Sequence, residues 1–329
     1  MESLEVLQTS AVCSFYGLPR KDDRDVYRYI ASTPETRDIC NDPFVVGVQY
    51  TRSLSTACAA ILKAFRKVSS FEFVESKTTV LHILRGGLNF GLREALTDAF
   101  GWNAQPSAFI SAQRARSSEN PEDWYITENA YEKVHLPTGA AIVFGDVVAT
   151  GTSLLYALRR LVSVVEKDEA DIRSITFITI GAFRSHEVLR EIDSICRIKF
   201  KGYQGAAVIY LEGCFDVATP ESKLSVKFTG TDLIRSNSTL APEFVNSQYD
   251  NPTYPVERCT IYDAGSRAFY LPEYIEDVRD YWNKTLNLAN SGLTYDKLLQ
   301  ERFPELDASR FKHVDLIELC KRQIARCGD

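Results

Sequence analysis

No CxxC pair occurs among the eight cysteines, and none of them clusters with the four histidines. That spacing argues against the usual zinc motifs and outlines no disulfide framework, so reduced, buried thiols are expected. An excess of positive charge is missing too: 38 Lys and Arg face 44 Asp and Glu, giving a net charge of -6 and a pI near 5.5. A broad electrostatic grip on nucleic acid or an anionic membrane is therefore not expected, and any phosphate site must be local. No apolar run approaches membrane-spanning length, and MESLEVLQTSAVCSFYGLPRKDD lacks a basic region leading into an apolar core. A cytoplasmic location is expected, in which the sequons at Asn237 and Asn283 carry no meaning. GxxxxGK[ST] is absent, against a P-loop nucleotidase, and RGGLNFG fails the GxGxxG spacing of a dinucleotide fold. Internal repeats and low-complexity tracts are also missing.

What remains is an ordinary globular composition, 45% hydrophobic and 25% charged over 329 residues, enough for one large domain or a core with an extension. Leu54, Cys58, Ile61, Leu62 and Phe65 recur at helical spacing and predict a helix over 53–68. TVLHIL (79–84) is too short and β-branched for a helix and reads as a buried strand. A helix over 92–100 follows, then a strand over 107–112 and a long polar stretch over 113–137. A strand over 140–144 leads to a helix with Leu154, Leu158, Leu161 and Val165 on one face. ITFITIGA (175–182) is the next strand. Strands alternating with helices predict βαβ units and a mostly parallel sheet covered on both faces. STPETRDICNDP reads as loop. Beyond Cys196, GAAVIYLEGCF and LSVKFTG read as strands. GTDLIRSNS (230–238) reads as a solvated loop or a substrate contact, and helices are expected over 274–288, 295–303 and 315–326. His82, inside an apolar strand, reads as a core histidine.

The stretch FGDVVATGTSL holds the most chemistry. The strand is expected to end at Phe144, with Asp146 at its exit, and Ala149, Thr150, Gly151, Thr152 and Ser153 turn into the helix. Small residues let successive amides point one way, and a helix N-terminus adds orphan N–H donors and partial positive charge. With three hydroxyls besides, the turn forms a cradle for a phosphate monoester that needs no lysine. Both it and RGG fall at carboxyl ends of strands, where open α/β sheets bind ligands.

An apolar strand, acidic positions, two apolar residues and a T-G-[GT]-[ST] loop entering a helix resemble the phosphoribosyl-pyrophosphate (PRPP) motif of type I phosphoribosyltransferases. LHILRGGLNFGLREAL resembles that family's diphosphate loop, and the polar stretch after Ser111 resembles its mobile hood loop. The likeness covers roughly residues 75–190. It implies a type I phosphoribosyltransferase core with a central, mostly parallel sheet flanked by helices. By residue, it gives Asp146 a ribose hydroxyl contact, Ala149 to Ser153 the 5′-phosphate, Arg85, Gly86 and Gly87 the diphosphate, and Arg114 and Arg116 further phosphate contacts from the mobile loop. No protein side chain is expected to bind metal on its own; magnesium (Mg2+) would be held mainly through PRPP. The chain departs from the family at Gly145, where an acid normally precedes Asp146.

The organisation expected is an N-terminal segment 1–45 that could contribute to a hood, a phosphoribosyltransferase-like core 46–200, and a mixed, then helical extension 201–329. The resemblance implies a transferase of nucleotide metabolism that moves phosphoribose from PRPP to a nucleobase or related nucleophile, releasing diphosphate. Gly145 and the extension keep open the alternative of a non-catalytic module sensing PRPP or a nucleotide for a protein partner. The acceptor is not legible, and a homodimer is a family expectation.

Overall fold

Runs rich in β-branched and aromatic residues form strands, and the amphipathic runs between them form helices. The computed structural model describes residues 2–84, 86–116, 124–128, 130–228, 232–259 and 270–328. Strands β1 (Glu5–Gln8), β2 (Ser14–Gly17) and β3 (Tyr27–Ser32) precede helices α1 (Pro34–Asn41) and α2 (Gly47–Val68). Then come β4 (Thr78–Leu84), α3 (Leu92–Phe100), β5 (Ser107–Ser111), β6 (Gln113–Arg116), β7 (Trp124–Glu128) and β8 (Glu132–Lys133). The chain continues through β9 (Ala140–Val148), α4 (Thr152–Lys167), β10 (Ile172–Ala182), α5 (Arg184–Lys199), β11 (Gly205–Val217) and β12 (Leu233–Leu240). Helices α6 (Pro242–Ser247), α7 (Leu271–Asn290), α8 (Tyr295–Arg302) and α9 (Leu316–Arg326) complete it.

A ten-stranded sheet runs in the order β1-β2-β3-β11-β10-β9-β4-β5-β8, with β12 paired to β11. From β3 to β5 every neighbouring pair is parallel; only the margins and β12 are antiparallel. The expected α/β class is thus the observed one. The sheet takes in strands from all three sequence segments, because β1 to β3 and β11 extend the central block. Along β5-β4-β9-β10-β11 the strand order reverses between β4 and β9, a topological switch point at which doubly wound sheets open a crevice. Helices α2 and α3 pack together, as do α4 and α5. The central strands β9 and β10 are buried nearly throughout, which explains their continuous apolar runs.

Several local expectations fail for tertiary reasons. STPETRDICNDP contains α1 rather than a loop: Thr33 and Thr36 form a reciprocal capping box, Pro34 opens the helix, and Ile39 and Cys40 are buried. Helix α2 starts at Gly47, ahead of the expected 53. β9 does not stop at Phe144 but runs through Gly145 and Asp146 to Val148, because β10 pairs with it along that whole length. Among the described residues of LSVKFTG (224–228) there is no strand. The next strand is β12, within the stretch read as loop, where Asp232 and Arg235 are buried. Asp232 pairs with buried Arg258 at 2.9 Å, and Arg235 donates to the Glu257 carbonyl at 2.6 Å. These side chains hold the extension together instead of facing a substrate. In the long polar stretch, β6 and β7 form an antiparallel hairpin. All eight cysteines are free, and seven are buried. Among the described residues, no helix is long and apolar enough to cross a membrane.

Candidate functional site

The switch point brings together the two turns singled out from sequence. After β4, residues Gly86–Phe90 form a 3-10 turn. After β9, Ala149, Thr150 and Gly151 carry the chain into α4, whose N-cap is Gly151 in the left-handed region, φ 73 and ψ 6. No side chain caps α4, and its first-turn hydrogen bond runs from Leu155 N to Gly151 O at 2.9 Å. The amides of Thr152, Ser153 and Leu154 are therefore the orphan donors of the helix end, carrying its partial positive charge. Ala149, Thr150, Thr152 and Ser153 are half-buried around them. A side chain at 151 would sit 3.0 Å from Arg184 Cγ and 3.2 Å from a Val188 methyl. Glycine is thus needed here for the turn and for packing on α5.

Asp146 is half-buried, and its Oδ1 accepts from Val147 N at 2.9 Å. In register it faces Thr179 of β10. Thr179 and Ser185 keep buried hydroxyls without a protein partner, and both oxygens lie within 3.3 Å of the position a Gly181 Cβ would take. The sequence reading passed over Thr179 because it sits in an apolar run, and over Ser185 because it follows that strand among charged residues.

Gly145 explains the missing acid. A Cβ there would lie 2.3 Å from Cγ and Cδ1 of Phe90 and 2.9 Å from its Cβ. Phe90 is fully buried, so its ring occupies the space that a side chain at 145 would enter. Gly87 lies over the same point, the position of its absent Cβ being 3.1 Å from the Gly145 carbonyl. The turn's far end is tied to α2, where Ser55 Oγ donates to Gly91 O at 3.1 Å. The turn after β4 thus lies folded onto β9 at Gly145. Below it His82 is buried and stacked on Phe109, with ring centroids 4.8 Å apart. Burial pushes its pKa down, which keeps the imidazole neutral at pH 7. Arg85 lies outside the described residues, and so do the side chains of Arg114 and Arg116, whose backbone is in β6.

On its other side, the 149–153 loop borders a cleft of about 480 Å³ that runs along α4. Thr150, Gly151 and Thr152 form one end of it, and Arg159, Arg160 and Arg184 line the rest. Sequence reasoning missed these arginines, although Arg159 and Arg160 stand two helical turns beyond Thr152 and so share its face. Among the described residues no group of three or more His, Cys, Asp or Glu side chains could hold a metal ion.

No family model and no curated protein matches this chain. Solved structures do. The hypoxanthine-guanine phosphoribosyltransferase of Bacillus anthracis is 15% identical over 42% of this chain and 72% of its own, with a TM-score of 0.28. A hypoxanthine phosphoribosyltransferase of Trypanosoma cruzi is 12% identical over 60% and 93%, TM-score 0.28. That of Staphylococcus aureus is 11% identical over 54% and 74%, TM-score 0.25. Scores this low leave the functional question to the chain's own geometry.

Proposed function

We infer that this chain is a phosphoribosyltransferase-like module that binds a 5′-phosphorylated ribose ligand, PRPP or a nucleotide, and signals its presence without turning it over. The observation that carries this is the Phe90 ring at Gly145. The phosphate-binding half of the motif is intact, whereas the place of the first ribose-orienting acid belongs to the core. Loop amides from 149 to 153 would hold the 5′-phosphate, since an uncapped helix start favours an anion. Asp146 would accept from a ribose hydroxyl. The extension 201–329 would relay occupancy to a protein partner or a second copy.

A second reading is retained because Asp146 still stands beside the loop at the carboxyl end of β9. In it, a nucleophile forms a bond to C1 of PRPP as the C1–oxygen bond breaks, and diphosphate leaves with that electron pair. The residues would contribute by orienting ribose and fixing the 5′-phosphate, which is catalysis by positioning. Magnesium would be held mainly through ligand oxygens, with Asp146 the residue nearest in role. Bound there, the ion would neutralise charge on the departing diphosphate.

Calorimetric titration with PRPP and Mg2+, paired with a diphosphate-release assay across a panel of nucleobases, tests the proposal. Binding without release is expected. Release with any base establishes the transferase reading, and absence of binding by PRPP, ribose 5-phosphate and AMP alike overturns both.

A further inference from the structure

We propose that Cys40 and Cys259 form a reversible oxidative modification site, in which a hydroperoxide joins them as a disulfide that ties α1 to the extension. The pair shares no residue with the ligand cradle.

Cys40 lies in the last turn of α1, and Cys259 follows the 3-10 turn Tyr254–Val256 of the extension. Distant in the chain, they meet because Arg235 of β12 clamps both backbones. One of its guanidinium nitrogens donates to the Cys40 carbonyl at 3.3 Å and the other to the Glu257 carbonyl at 2.6 Å. Glu257 Oε2 in turn accepts from Cys259 N at 2.5 Å. Both thiols are buried, and that of Cys40 donates to the Cys259 sulfur.

The buried charges gathered there do not balance. Arg235, Arg258 and Arg302 bring three guanidinium groups, whereas Asp232 and Glu257 bring two carboxylates. Burial favours the neutral form of both acids, which widens the gap. Glu212, the acid nearest Cys40 from β11, is mostly neutral at pH 7 because burial raises its pKa to about 8. Buried charge is stable only when paired, and a thiolate at Cys259 supplies the missing partner. The bond from Cys40, and after it the charge of Arg235, hold the Cys259 thiol below its usual range against the cost of burial. The other seven thiols are all pushed up. Cys259 is therefore the nucleophile and Cys40 the resolving thiol.

In the first step the Cys259 sulfur attacks one oxygen of hydrogen peroxide, the O–O bond breaks, and the departing hydroxide takes a proton to become water. Cys259 is then a sulfenic acid. The Cys40 sulfur attacks the Cys259 sulfur, the S–O bond breaks, and the second oxygen leaves as water with the Cys40 proton. Two thiols and one peroxide give one disulfide and two waters, sulfur losing the two electrons that the peroxide gains. Enclosure of the pair favours a small uncharged oxidant over a bulky disulfide.

The experiment treats reduced, full-length protein with hydrogen peroxide under native conditions, blocks remaining thiols with N-ethylmaleimide and maps linkages by mass spectrometry without reductant. A peptide joining Cys40 to Cys259 is expected, with the free thiol count falling by two from eight and recovering fully in dithiothreitol. In Cys40→Ser, dimedone should label Cys259 alone, and Cys259→Ser should keep Cys40 reduced. If either variant fails to fold, the linkage map of the parent decides. A different linkage, dimedone on another cysteine, or eight thiols surviving a peroxide dose that oxidises the same protein in guanidinium overturns the proposal.

Discussion

Substituting Gly145 by alanine probes how the core took over one position of the ligand-binding motif. The new Cβ would lie 2.3 Å from two ring atoms of Phe90, where apolar carbons prefer separations of about 3.5–4.0 Å. The contact is with Cγ and Cβ as well as Cδ1, so the ring cannot clear it by rotating its far end. Phe90 is fully buried, and displacing it means overpacking, which costs about 1–3 kcal/mol. Phe90→Ala removes a fully buried aromatic side chain at about 3–5 kcal/mol. In the double variant the alanine at 145 meets no ring, only the Cβ of residue 90 at 2.9 Å, so most of its own penalty should be relieved. Guanidinium unfolding followed by far-UV circular dichroism on the parent, both single variants and the double variant closes the cycle. A coupling of about 1–3 kcal/mol is expected; additivity within about 0.5 kcal/mol, or a Gly145→Ala protein as stable as the parent, refutes this account of the missing acid. The companion Phe90→Ala, Gly145→Asp restores paired acids with the obstructing ring removed. On the proposed reading it tightens PRPP without releasing diphosphate.

Three further outcomes follow from other parts of the structure. Gly151→Ala should lower stability by about 1–2 kcal/mol, the cost of a left-handed conformation for a residue with a Cβ, and a thermal melt unchanged from the parent would show that φ 73 at this position is not required. Glu212 is fully buried beneath α1 with Ser32 Oγ at 2.8 Å and Thr33 N at 3.1 Å, and burial raises its pKa from 4.5 to about 8. Its contribution is complete below pH 4.5 and is lost as pH climbs through about 8. Glu212→Gln should therefore match the parent near pH 4.5 and exceed it at pH 9 in denaturant midpoint; an unchanged difference across that window would be the contrary result. Asp232→Asn leaves Arg258 buried without its countercharge and should cost about 3–5 kcal/mol, read from guanidinium midpoints, with a loss below 1 kcal/mol counting against a structural role for the pair.

By itself the sequence determined what depends on neighbours a few positions apart. The apolar runs of β4, β9, β10 and β11, the periodic face of α4 and the small residues of 149–153 are local signals, and their alternation is enough to imply a parallel α/β sheet with ligand loops at its carboxyl edge. Tertiary structure decided the rest. Nothing near Gly145 in the chain shows that Phe90 lies over it; that contact exists because β4 and β9 are adjacent in the sheet and the turn after β4 folds back on its neighbour. The extension of β9 to Val148 depends on pairing with β10. Asp232 and Arg235 look like solvated loop residues until their partners arrive from Glu257 and Arg258. The arginines of the α4 cleft look like an ordinary exposed helix face until α5 supplies Arg184. Local periodicity is set by backbone geometry within a few turns, whereas a cleft or a filled one is set by which distant side chains the packing of the sheet brings to the same place.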